Sequence, residues 1–142
     1  MYHQFFSEFL SGGDTLRVYQ GEHLTFSSNK DRLLALLEYI TRFVPQRQPV
    51  VIFDKIMGNA AALLSVKAGG REVYSPLASL PAIKTLDKYD IKYHISEIVS
   101  YIQKPDEPDM CPMEKLSLDK EPEEFYQVMK DTIKEQEGKS WR

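Results

Sequence analysis

The first third of the chain alternates apolar and polar residues and then changes to a helical period. Apolar residues alternate along residues 16–28 on both sides of Gln20-Gly21-Glu22, which predicts a β-hairpin with a slightly longer turn. Ser28 and Asp31 then stand in a capping-box pattern, and apolar residues recur every three or four positions over residues 33–44. This predicts a helix that ends at the prolines that follow.

The middle of the chain is apolar on nearly every face. Residues 50–54, VVIFD, form an unbroken run rich in β-branched residues, which is typical of a central strand that is buried on both faces. Residues 58–68 are small or apolar on nearly every face, and Gly69-Gly70 follows them. We therefore expect a largely buried helix that stops at the glycine pair.

The second half continues to alternate strand and helix patterns. Residues 71–79 and 91–95 read as strands, and Ser79 can cap a helix between them. A short helix is expected at residues 97–103, before a polar, proline-rich loop. Pro122 then opens an amphipathic helix whose apolar stripe includes Phe125 and Met129.

This order of elements predicts an α/β sandwich with helices on both sides of one mixed sheet. The 142 residues are the usual size of one domain. We expect a single domain over residues 1–142, with an N-terminal helix or arm at 1–14 and a loose tail at 138–142.

Composition excludes several classes of function. The formal charge is −3 and the basic residues are scattered, so nucleic acid is not expected as a partner. One cysteine cannot form an intramolecular disulfide, and no apolar run approaches the ~20 residues that cross a bilayer. The opening residues lack a signal-peptide pattern. We expect no membrane association and a cytoplasmic location.

The first candidate site follows the buried strand. Asp54 and Lys55 lie directly after it and just before the helix that Gly58 begins, where α/β proteins place ligands. The backbone N–H groups from Asn59 onward would favour an anion there. The alternative is that Asp54 and Lys55 form an ordinary solvated connection.

The second candidate site is the segment MCPMEK, which contains the only cysteine. Cys111 could act as a nucleophile if its environment lowered the thiol pKa, and Glu114 could act as an acid or base. The alternative is that Cys111 is a small buried hydrophobic residue and Pro112 a turn former.

Taken together, the two sites resemble a known family. Asp54-Lys55, Gly58, the run of alanines at 60–62 and CPME at residues 111–114 resemble a small prokaryotic family of unknown function in the cytidine deaminase-like superfamily, from about Leu16 to the last helix. The resemblance implies a three-layer α/β/α fold with the Gly58 helix where deaminases place their metal-binding helix. The resemblance also favours functional over purely structural roles for four residues, which are Asp54, Lys55, Cys111 and Glu114.

The zinc ligands of such deaminases are missing. Those enzymes have a His or Cys on the first helix, with a Glu two residues on, and a C-x-x-C pair on the next. Here the first helix offers residues 59–61, NAA, and the next has no cysteine. His3, His23 and His94 have no metal-like spacing. We therefore expect neither a metal nor another cofactor.

The first functional hypothesis is a pocket that binds a nucleotide-like small molecule. Lys55 and the start of the Gly58 helix would receive phosphate, and Asp54 would contact a sugar or base. Any chemistry would be a metal-independent transfer or hydrolysis with Asp54 as base and Cys111 as nucleophile. The candidate catalytic residues are Asp54, Lys55, Cys111 and Glu114, and the candidate ligand contacts are Gly58, Asn59 and Ser79.

The second hypothesis is a non-catalytic interaction or regulatory domain. Tyr2, Phe5, Phe6 and Phe9 near the N-terminus would then form a docking stripe or a contact in a homo-oligomer. The simpler alternative is that these aromatic residues pack a first helix onto the core.

Overall fold

The alternating and helical patterns of the sequence give five strands and six helices in the computed structural model, which describes residues 2–30, 33–45, 48–104 and 109–140. The strands are β1 Leu16–Gln20, β2 His23–Ser28, β3 Val50–Asp54, β4 Gly70–Ser79 and β5 Lys92–Val99. The helices are α1 Tyr2–Ser11, α2 Leu33–Phe43, α3 Asn59–Lys67, α4 Leu80–Lys88, α5 Pro112–Ser117 and α6 Pro122–Ser140.

The strands form one mixed sheet in the order β2-β1-β3-β4-β5. β1 is antiparallel to both β2 and β3, whereas β3, β4 and β5 are parallel. The hairpin turn is shorter than predicted, because only Gly21 and Glu22 connect β1 to β2, and Gly21 has a φ of 59°. Glycine adopts this left-handed conformation without steric cost. The chain is thus an α/β protein with a mixed five-stranded sheet.

The central strand β3 is buried along its whole length, as its sequence predicts. Val50 and Ile52 face one apolar cluster, and Val51 and Phe53 face another. The first cluster includes α3, which packs against α2, α4, α5 and α6. Small residues on every side of α3 allow its neighbours to approach closely, which explains why the helix is alanine-rich.

The N-terminal aromatic residues pack on the second cluster. Phe5 stacks on Tyr19 with ring centroids 5.0 Å apart, and Phe9 lies 5.7 Å from Phe53. Phe9 is fully buried, and Phe6 packs against the same cluster. This is the simpler of the two predicted arrangements, and the predicted exposed docking stripe is wrong for these residues.

Other predictions need correction around the end of the sheet. The helix predicted at residues 97–103 is absent, because β5 continues to Val99 and pairs with β4 there. The short helix α5 was not predicted, since Pro112 was interpreted as a turn former and instead lies in the first turn of the helix. α6 extends to Ser140, and the loose tail expected at residues 138–142 stays a prediction. Asp31 of the predicted capping box and residues 141–142 of the tail lie outside the described residues.

Within the described ranges, none of the helices is long and apolar enough to span a membrane.

Candidate functional site

A cavity of about 360 Å³ lies where β3 ends and α3 begins. Ile102 and Gln103, together with Cys111, Met113 and Glu114, contribute another part of its wall. Its polar lining residues are Thr15, Asp54, Lys55, Gln103, Cys111 and Glu114. Its other lining residues are Leu33, Ile56, Gly58, Ala60, Ala61, Ile102 and Met113. The structure therefore brings the two predicted candidate sites together, although they are more than fifty residues apart in the sequence.

Asp54 is the last residue of β3 and is only 9% exposed. Its Oδ1 accepts a hydrogen bond from the Ile56 N–H at 3.2 Å. Burial raises the pKa of Asp54 to about 7, against the opposing effect of the Ile56 and Lys55 backbone N–H groups. Among the described residues no side chain forms an ion pair with it. Asp54 is thus a buried carboxyl that can exchange a proton near neutral pH.

The side chain of Lys55 extends towards α1. Its Nζ donates a hydrogen bond to the Gly12 carbonyl at 3.0 Å and lies 4.6 Å from the centroid of the Phe9 ring. Lys55 contributes to the cavity wall, but its ammonium group is already engaged by these two partners. The geometry gives no support to the predicted contact between this ammonium group and a ligand phosphate.

Glu114 occupies the position in which an external anion was expected. Its Oε1 accepts hydrogen bonds from the Asn59 N–H at 2.6 Å and from the Ser79 hydroxyl at 3.1 Å. Its Oε2 accepts one from the Ile102 N–H at 2.6 Å. The residue is 2% exposed. A carboxylate of the chain itself therefore satisfies the start of α3, where the helix dipole favours negative charge.

Gly58 makes room for this arrangement. A Cβ at this position would lie 3.0 Å from Ile102 Cγ1 and 3.3 Å from Glu114 Oε1. Both distances are shorter than ordinary van der Waals contact. The glycine is needed because Ile102 and Glu114 approach its backbone closely, and it is a structural part of the cavity wall.

Asn59 and Ser79 support the site without lining the cavity. The Asn59 amide nitrogen donates to the carbonyl and hydroxyl oxygens of Ser117, both at 3.1 Å, and its Oδ1 accepts from the Thr85 hydroxyl. The Ser79 hydroxyl accepts from the Ala82 N–H at 3.2 Å, which confirms that Ser79 caps α4. These contacts tie α3 to α4 and α5.

Cys111 lies directly before α5 and is buried, and it also lines the cavity. Its backbone N–H donates to the Ile102 carbonyl at 2.7 Å. The residue therefore has the burial of a structural cysteine and the location of a ligand contact. Its predicted role as a nucleophile stays a prediction.

Sequence reasoning missed Ile102, Thr85 and Ser117. Ser117 meets Asn59 across 58 residues of sequence, and Thr85 meets it across 26. No local pattern connects such distant positions. No sequence pattern indicated the apolar wall of the cavity either. Its residues come from several elements, and the pattern of each is that of an ordinary core element.

Across the parts of the chain that the structure describes, no three His, Cys, Asp or Glu residues lie together as ligands for one metal ion. The expectation of a site without metal or cofactor stays a prediction.

These features define an α/β protein with a mixed five-stranded sheet and a cavity beside a buried carboxyl group. The chain belongs to the DUF1893 family, because the family model described as "TM1506: Domain of unknown function (DUF1893)" matches residues 6–133.

A solved structure supports the same assignment. It is the crystal structure of a DUF1893 family protein (TM1506) from Thermotoga maritima, with a TM-score of 0.82 and 26% sequence identity. The match covers 92% of this chain and 88% of that one. None of the curated proteins matches.

The assignment to the cytidine deaminase-like superfamily was wrong. Both the family model and the solved structure are described as DUF1893, and neither description names a deaminase. The short motifs around Asp54 and Cys111 resembled that superfamily because they combine a strand end, a small-residue helix and a second helix start, which many α/β proteins share.

Proposed function

We propose that the cavity binds a small organic molecule, with a largely apolar body and a hydrogen-bonding group directed to Asp54. The observation that supports this most is the combination of about 360 Å³ of space, a largely apolar wall and the buried carboxyl group of Asp54, which, unlike that of Glu114, is not fully occupied by donors of the chain. Ligand sites are commonly apolar cavities of roughly 300–1,000 Å³ with a few placed polar groups.

Of the nucleotide-like ligands predicted from the sequence, the proposal keeps nucleosides and free bases and disfavours those with a phosphate group. A nucleoside or free base could present hydrogen-bonding groups to Asp54. A phosphate group is disfavoured at the start of α3, because Glu114 already accepts the Asn59 N–H and would repel a second anion. The engaged ammonium group of Lys55 offers no compensation.

Catalysis is a further part of the proposal. A carboxyl group with a pKa of about 7 can act as a general base or acid at neutral pH, and Cys111 shares the cavity with it. A metal-independent transfer or hydrolysis would use Asp54 as base and Cys111 as nucleophile. The support for this is the shared cavity alone, so ligand binding is the primary proposal.

The alternative is an interaction or regulatory domain, in which a homo-oligomer is one outcome. β5 lies at the edge of the sheet, and Ile98 on this strand and Leu80 at the start of α4 are exposed apolar residues. Exposed strand edges can pair with other chains. The aromatic residues of α1 give no support, because they pack on the chain's own sheet.

Two structural expectations also belong to the proposal. We infer a three-layer α/β/α arrangement, which is supported by separate apolar clusters on the two sides of β3 and by α1 on one of them. A cytoplasmic location is proposed on composition alone.

A thermal-shift panel of free bases, nucleosides and nucleotides tests the binding proposal. A ligand at about a hundred times its dissociation constant should stabilise the fold by roughly 2.7 kcal/mol, which is a shift of several degrees for a domain of this size. Nucleosides should give larger shifts than their nucleotides. Asp54→Asn should fold and reduce the shift, whereas Lys84→Ala on the exposed side of α4 should leave it unchanged. The proposal fails if no compound in this panel raises the melting temperature of the wild-type protein and if benzamidine, benzamide, benzoate and benzyltrimethylammonium also fail to bind it.

A further inference from the structure

We infer that the natural ligand of this cavity is a small organic cation with N–H groups, such as an amine, amidine or guanidine. It would supply a counter-charge to Asp54, which forms no ion pair with any of the residues that the structure describes. This inference rests on the proposed binding function and names the class of ligand.

The charges around the cavity favour a cation. Its two carboxyl groups are those of Asp54 and Glu114, within the described lining. Both oxygens of Glu114 already accept hydrogen bonds from donors of the chain, three in all. Asp54 receives backbone N–H groups and, among the described residues, no cationic side chain. A buried carboxylate without a counter-charge is costly, and a bound cation would remove that cost.

The neighbouring base does not fill this role. The ammonium group of Lys55 is bound by the Gly12 carbonyl and the Phe9 ring. These partners hold the charge near α1 and are part of the packing of that helix. The cavity therefore has a carboxyl group whose nearest cation in sequence is committed elsewhere.

The remaining lining shows which kind of cation fits. The large apolar lining residues are Leu33, Ile56, Ile102 and Met113, and none of the described lining residues is aromatic. Quaternary ammonium ions are usually recognised by aromatic cages. A cation that donates N–H groups to a carboxylate suits this lining better, because its apolar part can contact the aliphatic side chains while its charged end pairs with Asp54.

Binding of such a cation must be coupled to a proton. The cation pairs with ionised Asp54, so affinity should fall as pH is lowered through the pKa of about 7 that burial gives this group. The other titratable lining groups are Lys55, Cys111 and Glu114. Replacing Asp54 separates its contribution from theirs.

The test uses four probes of similar size on the full chain: benzamidine, benzamide, benzoate and benzyltrimethylammonium. We expect benzamidine to bind at pH 8 at least tenfold more tightly than benzamide, and the other two to bind more weakly still. Its affinity should fall about tenfold for each pH unit below 7. Calorimetry or ligand-observed NMR gives the dissociation constants.

Asp54→Asn is the matched variant, since it keeps the size of the side chain and removes its charge. This variant should weaken the binding of benzamidine at least tenfold and abolish its pH dependence. The affinity for benzamide should stay unchanged. Equal binding of benzamidine and benzamide, binding of benzoate, or no effect of Asp54→Asn would overturn the cation inference and leave the binding proposal standing. If none of the probes binds, the inference is overturned. If the nucleoside panel is also flat, the binding proposal fails with it.

Discussion

The carboxylate of Glu114 lies 2.6 Å from the backbone nitrogen of Asn59, at the first residue of α3. The same carboxylate accepts hydrogen bonds from Ser79 and Ile102. One buried side chain thus joins the starts of α3 and α4 to the segment that follows β5. This arrangement explains why the cavity has a defined wall on that side, and why the start of α3 does not need an external anion.

Replacing Glu114 should destabilise the protein strongly. Glu114→Ala leaves three donors without their acceptor, and buried unsatisfied donors make a loss of roughly 3 kcal/mol or more the expected result. Glu114→Gln should cost less, because its carbonyl oxygen can still accept hydrogen bonds. It should not be neutral, since its NH₂ group then faces a backbone donor. Urea unfolding measures both, with Glu97→Gln on the exposed face of β5 as the control. Equal stability of Glu114→Ala and the control would contradict the structural role.

Much of the fold follows from local patterns, and the site follows only in part. Residues 50–54 could be predicted as a buried strand because burial on both faces needs an apolar side chain at almost every position. β5 was shortened in the prediction because an edge strand with exposed residues at Glu97 and Ile98 has no such pattern.

For the site, Asp54 could be found from its place after a buried strand, since strand ends near helix starts are common ligand positions. The role of Glu114 could not be found in the same way. It depends on contacts that cross 55 residues to Asn59 and 35 to Ser79. Only tertiary packing sets such contacts. The sequence therefore indicated Glu114 as a candidate residue but not the partners that it binds.

The stability of the protein should depend on pH through Asp54. Its pKa is raised from 3.8 to about 7 in the folded state, so the folded protein binds more protons than the unfolded chain between these values. The stabilisation is complete below pH 4 and is lost as pH rises to 7, by roughly 2–4 kcal/mol. Asp54→Asn should remove this loss, which makes the variant relatively more stable at pH 8 than at pH 4.

Urea unfolding of both proteins at several pH values measures this difference. A carbon-13 NMR titration of the Asp54 carboxyl group gives its pKa directly. A difference in stability between wild type and Asp54→Asn that does not change with pH would contradict the prediction.

Alkylation of Cys111 should report on the cavity. The chain has one cysteine, so the signal belongs to a single site. Because Cys111 is buried but lines the cavity, neutral iodoacetamide should react far more slowly than with unfolded protein, yet faster than global unfolding allows. Anionic iodoacetate should react more slowly than iodoacetamide, since Asp54 and Glu114 line the same space. Labelling only at the rate of global unfolding would remove Cys111 from the candidate site.

The final prediction concerns the attachment of α1 to the sheet. Phe9 is 0% exposed and its ring contacts both Phe53 and the ammonium group of Lys55. Phe9→Ala should therefore cost roughly 3–5 kcal/mol, because it leaves a cavity beneath the helix and removes the cation–π contact. Leu10→Ala, at a position 43% exposed on the same helix, should cost less than about 1 kcal/mol. Urea unfolding distinguishes the two. If Phe9→Ala were as mild as Leu10→Ala, the aromatic residues of α1 would not be anchoring the helix to the sheet.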